Sequence, residues 1–128
     1  MSHTPSTQGT ILVVDDEPAI CSLIRHALAP QGYTILLASN GRDALQLCTT
    51  HKGPIQLLLT DLLMPGMNGL ELAVKVQALR PQIRVLYLSE SSVVGGAFAD
   101  EPHLTFLPKP FTLGALLNVV RKLLHASG

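Results

Sequence analysis

Short apolar runs alternate with amphipathic ones along nearly the whole chain, and that alternation leaves few folds open. Thr10-Ile-Leu-Val-Val14 runs directly into two carboxylates. An apolar run this short, with no internal polar residue, suits a strand buried on both faces. Pro18 to Ala29 then carries Ile20, Leu23, Ile24, Ala27 and Leu28 at helical spacing, with Pro18 in the first turn, where its missing N–H costs nothing. Gly32 ends that helix. Tyr33 to Ala38 reads as a second strand. Asn40 opens a helix over about Gly41–His51, which Gly53-Pro54 breaks. Ile55 to Thr60 is a third strand, ending at Asp61. After a loop holding Met64-Pro-Gly66, a helix runs from about Asn68 to Leu79 with Leu72, Val76 and Leu79 inward. Arg84 to Leu88 is a fourth strand and His103 to Leu107 a fifth. Thr112 caps a last helix through about His125, with Leu113, Leu116, Leu117, Val120, Leu123 and Leu124 as its buried stripe. Between the last two strands, Ser91 to Pro102 offers Val93, Val94, Ala97 and Phe98 as one face of a short helix. Gly95-Gly96 weakens it by about 1 kcal/mol per glycine.

Five strands, each followed by a helix, imply parallel pairing through right-handed crossovers with helices on both faces. The fold class is therefore α/β, a doubly wound (βα)5 three-layer sandwich. A chain of 128 residues is one domain by size and buries enough surface to fold without metal or disulfide. Nine basic residues balance nine acidic ones, so no basic excess draws the chain to nucleic acid or acidic membranes. No apolar run approaches the ~20 residues of a membrane span. Cys21 and Cys48 lack metal-type spacing and read as unreactive free thiols of an intracellular, cytoplasmic protein. Residues 1–9 are polar, without the apolar core of a signal peptide, and read as a disordered lead-in. The five histidines are scattered without ligand spacing.

The unusual polar residues fall at strand ends. Asp15 and Asp16 end the first strand, Asp61 the third and Ser89 the fourth, and Lys109 follows the fifth. In a doubly wound sheet the carboxyl ends of the strands form the ligand crevice, so these side chains meet at one edge. Clustered carboxylates repel, and one is driven toward protonation. A hard divalent cation relieves this, and Mg2+ takes a few carboxylate oxygens and favours bound phosphate. Lysine and a hydroxyl suit phosphoryl oxygens, and a carboxylate can itself attack phosphorus to give an aspartyl phosphate. Spacing and chemistry together suggest an Mg2+-assisted, phosphoryl-accepting aspartate.

Four segments carry a resemblance. The acidic pair in Val13-Val-Asp-Asp-Glu-Pro18, the segment Asp61-Leu-Leu-Met-Pro-Gly-Met-Asn-Gly69, the strand end Leu88-Ser89 and Leu107-Pro-Lys-Pro-Phe111 together resemble the receiver domain of two-component response regulators. The resemblance spans about Thr10–His125, with the domain placed at 10–126. It implies a flavodoxin-like fold with strand order 2-1-3-4-5, an order for which a member of this family is a standard example. It implies that Asp61 accepts a phosphoryl group from a histidine kinase phosphohistidine. It assigns Mg2+ to Asp15, Asp16, Asp61 and the backbone carbonyl of Leu63. Lys109 would contact the phosphoryl oxygens, Ser89 would swing to hydrogen-bond them, and Phe106 would turn inward as the switch aromatic. Lys109–Pro110 would be a cis peptide. Such a domain catalyses only its own phosphorylation and dephosphorylation, and is not an enzyme in the usual sense. Its expected partners are a histidine kinase or phosphotransfer protein, met through the polar face of the first helix (Arg25, His26), and an output protein on the surface of strand five and its flanking helices. The expected state is monomer or weak dimer.

Departures from the family pattern stand out. Glu90 follows Ser89 where receivers usually keep a small residue, and a carboxylate there opposes an incoming dianion. Leu63 and Ser91 occupy positions that tune phosphoryl lifetime, and apolar Leu63 suggests slow hydrolysis. The wording of Val85-Leu-Tyr-Leu-Ser89 and Phe106-Leu-Pro-Lys-Pro-Phe-Thr112 is similar to receivers at the C-terminal end of hybrid histidine kinases; a stand-alone regulator is the alternative. Two other functions compete. A haloacid-dehalogenase-type phosphatase would need a second acid shortly after Asp61, where Leu62-Leu63-Met64 stand instead. A degenerate receiver would bind partners without phosphorylation.

Overall fold

The computed structural model describes residues 8–90 and 105–125. In chain order the elements are β1 (Gly9–Val14), α1 (Pro18–Leu28), a 3-10 turn (Ala29–Gln31), β2 (Tyr33–Ala38), α2 (Gly41–Thr50), β3 (Leu57–Asp61), α3 (Gly69–Leu79), β4 (Arg84–Glu90), β5 (Phe106–Lys109) and α4 (Leu113–His125). The sheet order is β2-β1-β3-β4-β5, and every pairing is parallel. This is the doubly wound, flavodoxin-like arrangement that the alternating pattern and the resemblance imply.

Two apolar clusters explain the layering. β1 is buried along its whole length because alternate residues face opposite layers. Ile11 and Val13 join Ile24 and Leu28 of α1 and Leu116 and Val120 of α4. Leu12 and Val14 join Ala44 and Cys48 of α2 and Leu72 and Val76 of α3. Each leucine carried fully into these clusters contributes roughly 2 kcal/mol. Among the described residues no helix is long and apolar enough to cross a membrane.

The helices start and stop for local reasons. Pro18 occupies the first turn of α1, and Gly32, at φ 100°, takes the left-handed conformation that closes the following 3-10 turn. The Asn40 side chain accepts the Asp43 N–H at 2.8 Å at the start of α2. Asn68 and Glu71 form a reciprocal capping box on α3. Thr112 Oγ1 accepts the Ala115 N–H at 3.0 Å on α4. Arg80, just beyond α3, closes the far end of α2. Its guanidinium donates to the carbonyls of Cys48 (3.2 and 3.1 Å), His51 (2.8 Å) and Gly53 (2.6 Å), so the C-terminal carbonyls of one helix are satisfied by a side chain from the next.

Several sequence expectations are corrected. Leu23, Leu79 and Leu113 are exposed rather than inward, because the buried arc of each helix is narrower than its run of apolar residues. Gly9 belongs to β1, paired with Tyr33, instead of to the polar lead-in. The fifth strand is Phe106–Lys109, later than His103–Leu107, so Lys109 ends β5 rather than following it. Pro108 pairs in register with Ser89 on an outermost strand, where a missing N–H is tolerated. The expected short helix over Ser91–Pro102 lies outside the described residues, as do residues 1–7.

Candidate functional site

The sheet register brings the candidate residues together. Val14 of β1 pairs with Thr60 of β3, so the next residues, Asp15 and Asp61, leave adjacent strands side by side. The strand order reverses between β1 and β3, which places them at the crevice where doubly wound sheets bind ligands. Ser89 stands one residue beyond Leu88, the partner of Asp61, and Lys109 pairs with Glu90. Asp15, Asp16 and Asp61 each present a carboxylate oxygen, all within 4.8 Å of one another; Asp15 and Asp61 are buried and Asp16 is exposed.

Lys109 is the counter-charge. Its Nζ lies 3.2 Å from Asp15 Oδ2, 3.4 Å from Glu17 Oε1 and 3.5 Å from Asp61 Oδ2. Asp15 is further held by the Glu17 N–H, which donates to its Oδ1 at 2.8 Å. One ammonium does not neutralise this cluster. Burial, helped by the charges of Asp15 and Asp16, pushes the Asp61 carboxyl up to about 6, although Lys109 opposes the shift. Burial likewise raises Asp15 against the Glu17 N–H and Lys109. Burial alone would lower the Lys109 ammonium, but Asp15 and Asp61 outweigh it and hold the lysine above its ordinary value. An all-oxygen donor set with surplus negative charge fits Mg2+, which takes a few carboxylate oxygens and fills its remaining positions with waters or phosphate.

The remaining candidates sit around this centre. Ser89 is buried, and its Oγ has no hydrogen-bond partner among the described residues. Such an orphan normally costs about 1–3 kcal/mol and calls for an acceptor. Phe106 opens β5, with its ring centroid 5.7 Å from that of Tyr87. The Lys109–Pro110 peptide is cis. Leu63 is exposed on the loop after β3, and Glu90 is exposed at the end of β4. Arg25 and His26 are exposed on α1. Ser91 lies outside the described residues. Cys21 and Cys48 are buried free thiols, both raised by burial, which makes them poor nucleophiles.

Two residues of the site carried no role in the sequence reading. Glu17 contacts Lys109; its only sequence signal is a third acid directly after the pair. Gly69 supports Asp61 from behind. Its N–H donates to the Leu62 carbonyl at 2.8 Å, and a Cβ there would stand 2.5 Å from the Asp61 carbonyl oxygen and 3.0 Å from Leu62 Cα. Only glycine allows α3 to begin this close to the end of β3. A glycine closing an Asp-to-Gly loop is the trace it leaves in the sequence.

Comparison with known proteins agrees with this geometry. The family model for the response regulator receiver domain matches residues 11–121. The chain is 32% identical over 121 residues to the DNA-binding transcriptional regulator NtrC of Azospirillum brasilense, covering 93% of this chain and 25% of that protein. It therefore spans about a quarter of that relative's length. The solved receiver domain of the hybrid histidine kinase CckA is 32% identical, with a TM-score of 0.77, covering 91% of this chain and 100% of that one. The Thermotoga maritima response regulator TrrA, solved in complex with Mg(2+)-BeF, is 33% identical with a TM-score of 0.77, covering 91% and 99%. This chain belongs to the response regulator receiver domain family of two-component signalling proteins, which are signalling modules rather than conventional enzymes.

Proposed function

We propose that the unit formed by residues 10–126 is a phosphorylation switch in which Asp61 is the acceptor. The observation that carries this reading is the convergence of Asp15, Asp16 and Asp61 on one point, with Lys109 against them and the unpartnered Ser89 hydroxyl buried in the adjacent strand. The Asp61 carboxylate attacks the phosphorus of a phosphohistidine. The bond from phosphorus to the donor nitrogen breaks, a bond to the carboxylate oxygen forms, and the donor imidazole leaves with its electron pair. Lys109 holds the phosphoryl oxygens, and the Ser89 hydroxyl donates to them. Bound Mg2+, held by Asp15, Asp16, Asp61 and the Leu63 carbonyl, would offset the charge of the incoming dianion. In-line placement and charge neutralisation do most of the work in such transfers. The Ser89 movement makes room for Phe106 to turn inward, which biases the β4–β5 region toward one packing.

The donor is a histidine kinase or phosphotransfer protein meeting the α1 face with Arg25 and His26, and the output partner docks on the surface that includes β5 and α4. The chain acts in the cytoplasm, as a monomer or weak dimer before phosphorylation, either alone or as the receiver of a hybrid kinase. The test is intact-mass spectrometry after incubation with an acyl phosphate, with and without Mg2+, beside Asp61→Ala. An Mg2+-dependent gain of one phosphoryl group, absent in the variant, supports the switch. No gain in either protein refutes it and favours a module that acts by binding alone, with Glu90→Gly as the variant that identifies a blocking carboxylate.

A further inference from the structure

We propose that Glu17 is a releasable tether on Lys109: it holds the ammonium in the resting site and lets go when a phosphoryl oxygen takes its place. The inference rests on Asp61 being the phosphoacceptor and concerns how the lysine is freed to read it.

The Lys109 ammonium has three protons and three carboxylate oxygens around it, from Asp15, Glu17 and Asp61, at 3.2, 3.4 and 3.5 Å. Two of these contacts, to Asp15 and Glu17, are hydrogen bonds and the third, to Asp61, is an ion pair, so a phosphoryl oxygen competes with carboxylates for the ammonium's donors. Asp15 is poorly placed to do so. Its side chain is fully buried, and its other oxygen is fixed by the Glu17 N–H at 2.8 Å. Asp61 is the residue being modified. Glu17 differs from both, since its side chain is 62% exposed and water replaces Lys109 as its partner at little cost. Its placement is also built. Glu17 is the N-cap of α1, where a side-chain acceptor ordinarily pairs with the first-turn amides, yet its side chain makes no capping hydrogen bond. The turn made by Asp15 Oδ1 and the Glu17 N–H instead fixes the backbone so that the carboxylate reaches across to β5. Glu17 is thus a positioning residue that acts through Lys109.

Two measurements decide the matter. The first is a double-mutant cycle on metal-free protein, comparing urea midpoints of wild type, Glu17→Gln, Lys109→Ala and the double variant. A tether requires Glu17→Gln to lower the midpoint when Lys109 is present and to leave it unchanged or raised when Lys109 is absent. Additive shifts overturn the contact. The second is the rate of phosphoryl acceptance from acetyl phosphate with Mg2+, followed by intact mass. Losing an exposed ion pair predicts a gain of about two- to fivefold for Glu17→Gln. An unchanged or slower rate overturns the release. If wild type accepts no phosphoryl group at all, the switch reading fails and release fails with it, while the unfolding cycle still judges the resting contact by itself.

Discussion

Replacing Asp61 with asparagine removes a buried charge that the folded chain solvates poorly, and it should make the metal-free protein more stable at neutral pH. Burial pushes this carboxyl from its ordinary 3.8 to about 6. That displacement corresponds to about 3 kcal/mol of destabilisation whenever the group is ionised. Asparagine keeps the shape but gives up the 3.5 Å approach to Lys109, so a net gain of about 1–3 kcal/mol is expected. The sign follows from proton binding. Between pH 3.8 and about 6 the folded carboxyl keeps a proton that the unfolded chain has released. Wild-type stability therefore falls as pH rises through that window, and the full cost is present above it. Asp61→Asn loses this group's share of the dependence and keeps only the part that comes from the buried Asp15. The assay is urea unfolding of both proteins in chelator at a series of pH values, repeated with Mg2+. The variant's advantage should be largest near neutrality, shrink on acidification, and shrink again when the cation neutralises the wild-type cluster. A variant less stable than wild type near pH 7 in chelator, or an advantage independent of pH, would falsify the account of an under-compensated acidic cluster.

Other expected outcomes are local. Gly69→Ala forces a Cβ into the Asp61 carbonyl and should cost about 2 kcal/mol or more; a melting temperature unchanged from wild type contradicts the tight approach. Arg80→Ala strips the donors from the end of α2 and should cost about 2–3 kcal/mol in urea unfolding. Arg80→Lys should recover little of this, because an ammonium cannot span three carbonyls as the guanidinium fork does. Leu63→Asn puts a polar group on the loop beside the acceptor and should shorten the aspartyl phosphate lifetime several-fold; a lifetime equal to wild type rules out apolar screening by Leu63.

Much of this architecture is written in local sequence, and the parts that are not share a physical cause. Asp15 and Asp61 were legible because each ends an apolar run, and a doubly wound sheet sends all such ends to one edge. The helix starts at Asn40, Asn68 and Thr112 were legible because capping is settled within a turn. Leu23, Leu79 and Leu113 misled because apolar periodicity marks a stripe without fixing its width. The end of β5 was misplaced because Pro108 argues against a strand locally, whereas pairing with β4 decides the matter from far along the chain. Glu17 and Arg80 escaped notice for the same reason. The Glu17 contact is 92 residues away in sequence and the Arg80 contacts 27 to 32, and no local pattern announces them.

The position of Lys109 has a mechanical consequence. Asp61 stands on β3, paired in the described sheet with both β1 and β4, whereas Lys109 stands on β5, which pairs there with β4 alone. Under the proposed switch, the acceptor sits on a strand held from both sides and its detector on an edge strand. On that reading, a pull on the ammonium loads a single short ladder, running from Tyr87↔Phe106 to Glu90↔Lys109, rather than the two ladders that hold β3. Any displacement of the lysine on that reading is then borne first by the outermost strand of the described sheet.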